Sequence, residues 1–214
     1  MIQKILITGS SNGLGENLAL FFAKKGFDIV LHGRNENKLD QVKNQIIDIG
    51  QKVESFTCDF SKENDINNFC KTISKIDIQI LINNAGMHCQ NKPLEELSEK
   101  YIQDIFNINL IAPIKLIKGL EHNLKAIINI NSMSGLETKK YRSLYASSKW
   151  GLKGFSDCYK QEKNSIDVLD VFPTNINTNN LKDNAMNVNF VIEKIFEAFI
   201  NKQNELILDG RKNK

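Results

Sequence analysis

Short apolar, β-branched runs alternate with longer amphipathic stretches along almost the whole chain. The runs at 5–8, 29–31, 53–57, 78–82, 126–130, 168–172 and 205–208 predict seven strands. Between the first two, Leu14, Leu18, Phe21 and Phe22 repeat at helical spacing, with Lys24 and Lys25 in the last turn and Gly26 placed to end the helix. Leu39, Val42, Ile46 and Ile49 mark a second helix stopped by Gly50. Ser61 is placed to cap a third that reaches Ile73, and Ser98 a fourth running through Ile102, Ile105 and Leu116, with Pro113 expected to kink it. Two further helices carry Tyr145, Lys149, Leu152 and Phe155, and Val191, Ile192, Ile195 and Phe199. Strands that are apolar throughout and alternate with helices predict a doubly wound α/β domain, a parallel sheet covered by helices on both faces. Residues 174–189, rich in Asn, are expected to form a loop beside a binding site.

Composition narrows the function classes. The chain has 214 residues, 41% hydrophobic and 25% charged, which suits one domain, taken as 1–214. A formal net charge of +3 with scattered lysines gives no basic face, so neither nucleic acid nor an anionic membrane is an expected partner. No leader pattern opens the sequence, and no apolar run is long enough to span a bilayer, so a cytoplasmic protein is expected. Cys58, Cys70, Cys89 and Cys158 lack metal-ligand or disulfide-framework spacing, and no metal is expected.

The first strand runs into Thr8-Gly9-Ser10-Ser11-Asn12-Gly13-Leu14-Gly15, which opens the first helix. Glycines there let the chain turn sharply and bring backbone N–H groups and a positive helix end to a pyrophosphate, although a purely structural turn also uses glycine. Further along, Tyr145-Ala146-Ser147-Ser148-Lys149 puts a phenol and an ammonium on one helix face. A phenol of pKa about 10 is a poor catalyst near neutrality, and a nearby cation favours its phenolate. Taken alone, that pair also fits a solvated helix face.

The TGxxxGxG spacing, with Asn83-Asn84-Ala85-Gly86 after the fourth strand and YxxxK beyond, resembles the short-chain dehydrogenase/reductase family over nearly the whole chain. The resemblance implies a single-domain, Rossmann-type seven-stranded fold. It implies an oxidoreductase interconverting a small-molecule carbonyl and a secondary alcohol by hydride transfer, with Tyr145 as general acid/base. It assigns catalytic roles to Asn109, Ser132, Tyr145 and Lys149. Ser132 orients the substrate oxygen, with Ser134 its local competitor; the Asn109 amide holds a water that passes protons to Lys149, with Asn107 the competing position. The cofactor-binding set is Gly9, Ser11, Asn12, Gly13, Leu14, Gly15, Gly33, Arg34, Asp59, Phe60, Asn83, Ala85, Gly86, Tyr145, Lys149, Pro173, Ile176 and Thr178.

Within that set, Asp59 is matched to the acceptor of the adenine amino group, though it also suits a strand-end cap. The family's NAD-selecting acid falls on Gly33, followed by Arg34. The missing acid and the Arg fork favour NADP(H), with NAD(H) possible. Thr174 stands where the family has glycine, so the backbone path past the nicotinamide is expected to differ. Only Arg211 to Lys214 follow the last strand, which implies an abbreviated substrate lid.

Family members pair through the tyrosine helix and the one before it, so a homodimer or homotetramer is expected, with Leu152 and Phe155 on the exposed apolar face. Met87, His88, Met133 and Tyr141 are candidate pocket walls; 3-oxoacyl thioesters, small ketones and sugar-derived ketones all remain open as substrates. The competing function is a dinucleotide-binding regulatory protein without turnover, which need not keep all four catalytic positions. A sugar-nucleotide epimerase or dehydratase of the extended branch requires a longer C-terminal domain and a different glycine spacing.

Overall fold

Each predicted strand forms, because apolar runs of this length bury both faces only inside a sheet layered between helices. In the computed structural model, which describes residues 3–178 and 185–211, the strands are β1 (Lys4–Ile7), β2 (Asp28–Gly33), β3 (Val53–Thr57), β4 (Ile80–Asn83), β5 (Ala126–Ile130) and β6 (Asp167–Pro173). Two short strands, β7 (Ile176–Asn177) and β8 (Met186–Asn187), pair with each other, and β9 (Glu205–Leu208) completes the main sheet. That sheet is parallel with order β3-β2-β1-β4-β5-β6-β9. The order reverses between β1 and β4, which opens a crevice beyond their C-terminal ends.

Helices α1 (Gly13–Lys24), α2 (Glu36–Ile49) and α7 (Val188–Ile200) cover one face. Helices α3 (Glu63–Ile73), α5 (Ala112–Leu120) and α6 (Ser143–Glu162) cover the other, and α4 (Glu99–Phe106) leads into α5. Two apolar clusters follow, one centred on Leu18, Phe22 and Ile195, the other on Ile66, Leu116 and Ile127. Caps act largely as the sequence suggests. Asn35 accepts from the Lys38 amide and Ser98 from the Tyr101 amide, while Gly50 ends α2 at φ +91°.

Four expectations change. Ser61 does not cap α3; Lys62 holds that position, and the Ser61 amide donates to Asp59 Oδ1 at 3.0 Å. Pro113 does not lie inside one continuous α-helix. A π-helical turn at Asn107–Ile111 separates α4 from α5, and Pro113 sits in the first turn of α5 directly after it. Leu152 is 1% exposed, and Phe155 is partly buried against the second cluster and stacked on Tyr159, so neither forms an exposed face. The outer side of α6 carries Ser143, Ser147, Trp150, Gly154 and Cys158 instead. Of the expected loop, 179–184 lie outside the described residues, Ile176–Asn177 and Met186–Asn187 are paired strands, and Val188 and Asn189 belong to α7.

A polar row crosses the sheet beneath α6. Asn83 donates to Asn129 Oδ1 at 2.9 Å, and Asn129 to Asp170 Oδ1 at 3.0 Å. Asp170 Oδ2 accepts from Ser156 Oγ at 2.6 Å and Lys160 Nζ at 2.7 Å, both on α6. Removing the buried Asp170 carboxylate leaves the buried Asn129 amide and Ser156 hydroxyl without their acceptor, so Asp170→Ala is expected to cost about 3–5 kcal/mol. Lys4→Ala, which breaks the exposed pair with Glu54, is expected to cost under about 1 kcal/mol. Urea unfolding of both variants checks the contrast.

Candidate active site

The crevice begins with a close approach that only glycine permits. A Cβ on Gly15 would lie 2.2 Å from the Gly9 carbonyl oxygen, and one on Gly9, at φ +66°, would lie 2.9 Å from Ala85 Cα. The turn is clasped to β4 by Thr8, whose hydroxyl accepts from the Asn84 and Ala85 amides at 2.9 Å each, and by Asn84, which donates to the Thr8 and Gly9 carbonyls. The N-cap residue of α1, Asn12, makes no side-chain cap, leaving first-turn N–H groups for an anion. The side chain of Thr178 lies over Gly13, while Ile176, in β7 after Pro173 ends β6, packs against the first apolar cluster. Gly9, Ser11, Asn12, Gly13, Leu14, Gly15, Asn83, Ala85, Gly86 and Thr178 are thus brought to one crevice. A dinucleotide fits its glycine-lined floor.

Gly33 ends β2 beside Ser11; a Cβ at Gly33 would lie 3.0 Å from Ser11 Cβ and Oγ. Arg34 is exposed next to it and acts on Asp59. Burial works to raise the Asp59 carboxyl, but hydrogen bonds from the Ser61 amide and hydroxyl, with the charges of Arg34 and Lys62, outweigh it and hold the group below the usual carboxylate range. Asp59 therefore serves its own turn while remaining an acceptor at the crevice edge. Phe60 is buried and stacks on His32, with ring centroids 4.0 Å apart.

Catalytic candidates converge where β5 ends and α6 begins. Ser132 follows β5; its hydroxyl accepts from the Ser134 amide at 3.1 Å and is the serine that acts on the Tyr145 phenol, working to lower its pKa, which separates it from the competing Ser134. Lys149 lies one turn below Tyr145, with Nζ 5.9 Å from the ring centroid and donating to the Ile130 carbonyl at 3.1 Å. Burial pushes the Lys149 ammonium down to about 8. Burial also raises the Tyr145 phenol above its ordinary value, against the Ser132 hydrogen bond and the Arg142 charge. Burial outweighs both, and the Tyr145 phenol keeps its proton near neutral pH.

Asn109 sits in the π turn, 1% exposed. Its oxygen accepts from the Met87 amide at 2.7 Å, and its amide donates to the Met87 carbonyl and to Ser148 Oγ, each at 3.1 Å. Both amide hydrogens are committed to protein acceptors, and Asn109 thereby pins the strand-end loop to α6. Asn107, the competing position, donates to the Ser61 carbonyl. Thr174 accounts for its own presence: its hydroxyl accepts from the Gly210 amide at 3.0 Å and bonds the Leu208 carbonyl, tying β6 to the segment after β9. Arg211, in that segment, pairs with Asp209 and with Glu137, five residues past Ser132.

Residue-type reasoning missed His32, a fully enclosed imidazole in an apolar strand. Polar groups in such runs demand partners, and that was the available signal. Burial drives its pKa from 6.5 down to about 3. Unfolded chains bind this proton below about pH 6.5 and the folded protein does not, so stability is full above that pH and is lost as pH falls toward 3. The expected loss from this group is on the order of 3 kcal/mol at about pH 4. Urea unfolding across that range checks it, and His32→Asn should flatten this component of the acid arm.

Comparison with known proteins converges on one family. The model described as short chain dehydrogenase matches residues 3–189. A very-long-chain 3-oxoacyl-CoA reductase of Phaeosphaeria nodorum is 32% identical over 73% of this chain and 49% of its own length. The 17-beta-hydroxysteroid dehydrogenase type 3 of Danio rerio is 29% identical over 81% of this chain and 60% of its own. The chain thus spans about half to three-fifths of the length of these curated relatives. Among solved structures, a short-chain dehydrogenase from Sphingobium yanoikuyae in complex with NADPH superposes with a TM-score of 0.89 at 26% identity, covering 96% of this chain and 87% of that one.

Proposed function

Because the chain belongs to the short-chain dehydrogenase family, we propose that it is an NADP(H)-preferring oxidoreductase that interconverts a small-molecule carbonyl and its secondary alcohol. The observation that carries this reading is the meeting of Ser132, Tyr145 and Lys149 at the end of β5, beside the crevice where the strand order reverses. A regulatory protein without turnover needs the crevice but not that meeting. The NADPH held by the Sphingobium relative supports the cofactor class.

The glycine turn and the first turn of α1 would hold the pyrophosphate, Asp59 the adenine, and Lys149 the nicotinamide ribose. When bound, the nicotinamide supplies or accepts the hydride. Ser132 Oγ lies close enough to the Tyr145 phenol to act on it, so a carbonyl oxygen received by both would be oriented and polarised. Tyr145, held neutral, delivers its proton to that oxygen as charge develops. Lys149 spends one N–H on the Ile130 carbonyl and has two left for ribose hydroxyls and for countering the phenolate that forms.

In steady-state reduction of a carbonyl panel with NADPH, Tyr145→Phe is expected to fold and bind NADPH but lose at least about a hundredfold in turnover. Ser132→Ala should slow turnover with cofactor affinity retained, and Lys149→Ala should weaken both. Since the Lys149 cation is lost as pH rises through about 8, reductive kcat/KM should fall above that pH. Parent-like turnover by Tyr145→Phe would overturn the mechanism; tight NADPH binding with no carbonyl reduced would favour the regulatory reading.

The cofactor preference rests on Gly33 and Arg34. An acidic side chain at 33 would press on Ser11, whereas an exposed guanidinium suits a 2′-phosphate. Dissociation constants should be lower for NADPH than NADH, and Arg34→Ala should erase most of the difference. Equal affinities in the parent protein would sink the assignment.

A further inference from the structure

We propose that His32 is a positioning residue for the cofactor crevice, holding the glycine turn in register with the end of β3 through its two ring nitrogens. The inference rests on the dinucleotide reading above and adds a residue that touches neither substrate nor cofactor. His32 lies on β2 at 2% exposure. Its Nδ1 accepts from the Gly9 amide at 3.2 Å, and its Nε2 lies 3.2 Å from the Cys58 carbonyl. A backbone N–H only donates and a carbonyl only accepts, so these partners fix the tautomer: Nδ1 bare, Nε2 protonated. The ring is also fixed in plane by Phe60, stacked at an interplanar angle of 12°.

The backbone of the same residue holds the next position of the turn. The Ser10 amide donates to the His32 carbonyl at 2.8 Å, and the His32 amide donates to Ser10 Oγ at 3.0 Å. Gly9 is stopped on its β4 side by backbone packing against Ala85. On its β2 side the stop is a hydrogen bond to one imidazole. Through the Cys58 carbonyl that imidazole reaches the segment bearing Asp59 and Phe60, so the surfaces for pyrophosphate and adenine share one anchor. Burial keeps the imidazole neutral; the Cys58 carbonyl works against it, and the charges of Arg34 and Asp59 act on the ring more weakly and in opposite senses.

A merely space-filling histidine predicts something different, and two amides separate the cases. The oxygen of an Asn side chain reaches the position of Nδ1, while a Gln amide reaches that of Nε2; His32→Phe keeps the stacking and neither hydrogen bond. NADPH dissociation constants from fluorescence, with melting temperatures beside them, are measured for the parent, H32N, H32Q and H32F. H32N is expected to bind within about threefold of the parent, and H32Q and H32F at least about tenfold more weakly, because a buried donor loses its acceptor. This order should hold whatever the order of melting temperatures.

Parent-like binding by H32Q and H32F overturns the proposal while leaving the oxidoreductase reading intact. Weak binding by H32N equal to that of H32F also overturns it, since the acceptor would then be irrelevant. Failure of the parent to bind NADPH overturns the dinucleotide reading and this inference with it. Should H32F not fold, the contrast between H32N and H32Q decides.

Discussion

The absence of a side chain at Gly15 is the constraint from which the rest of the site follows. With 2.2 Å between its would-be Cβ and the Gly9 carbonyl oxygen, α1 packs against the turn after β1 as closely as backbone allows. That approach aims the start of α1 at the crevice where the strand order reverses. It also leaves the turn short of side-chain packing of its own, so directional contacts must hold it: the Thr8 hydroxyl just after β1 with the Asn84 amide, the Asn84 side chain beyond β4, and His32 on β2. Glycine gives up conformational order when unfolded, and a glycine-rich turn keeps one shape only where such hydrogen bonds restrict it.

The opposite wall is built on the other principle. Beneath α6 the sheet carries a polar row, Asn83, Asn129 and Asp170, where the other face is apolar at equivalent depth. Apolar surfaces slide past one another at low cost, but a row whose Asp170 end is closed by Ser156 and Lys160 accepts α6 in one register. Asn131, donating to the Lys149 carbonyl, and Asn109, donating to Ser148, repeat that fixing nearer the chemistry. Tyr145 and Lys149 thereby meet Ser132 because the helix is located by directional contacts.

Much of this was legible in the chain and some was not, for identifiable reasons. The strands and helices declared themselves through periodicity, since burial between layers demands it, and the YxxxK spacing placed Tyr145 and Lys149 together because helix geometry is fixed. The π turn escaped notice because one inserted residue shifts phase without changing residue type, so Pro113 drew the blame for a break that begins at Asn107. Leu152 was read as outward because a helix wheel has no absolute zero; only the sheet says which side is in. The Asn109 clamp and the Thr174 bridge depend on Met87 and Gly210, distant partners that local pattern does not name.

The acid strength of Tyr145 shows where residue type alone misleads. Proximity of a lysine suggests a lowered phenol pKa, but the same enclosure that brings Lys149 near also removes water from both groups. Desolvation raises the phenol and lowers the ammonium, and at 5.9 Å from the ring the cation does not reverse that. A buried pair of this kind is poised with the proton on the phenol and the ammonium ready to lose one near pH 8. On the proposed reading such a pair suits delivery of a proton to a substrate oxygen that gains charge, because the phenol enters that step already protonated.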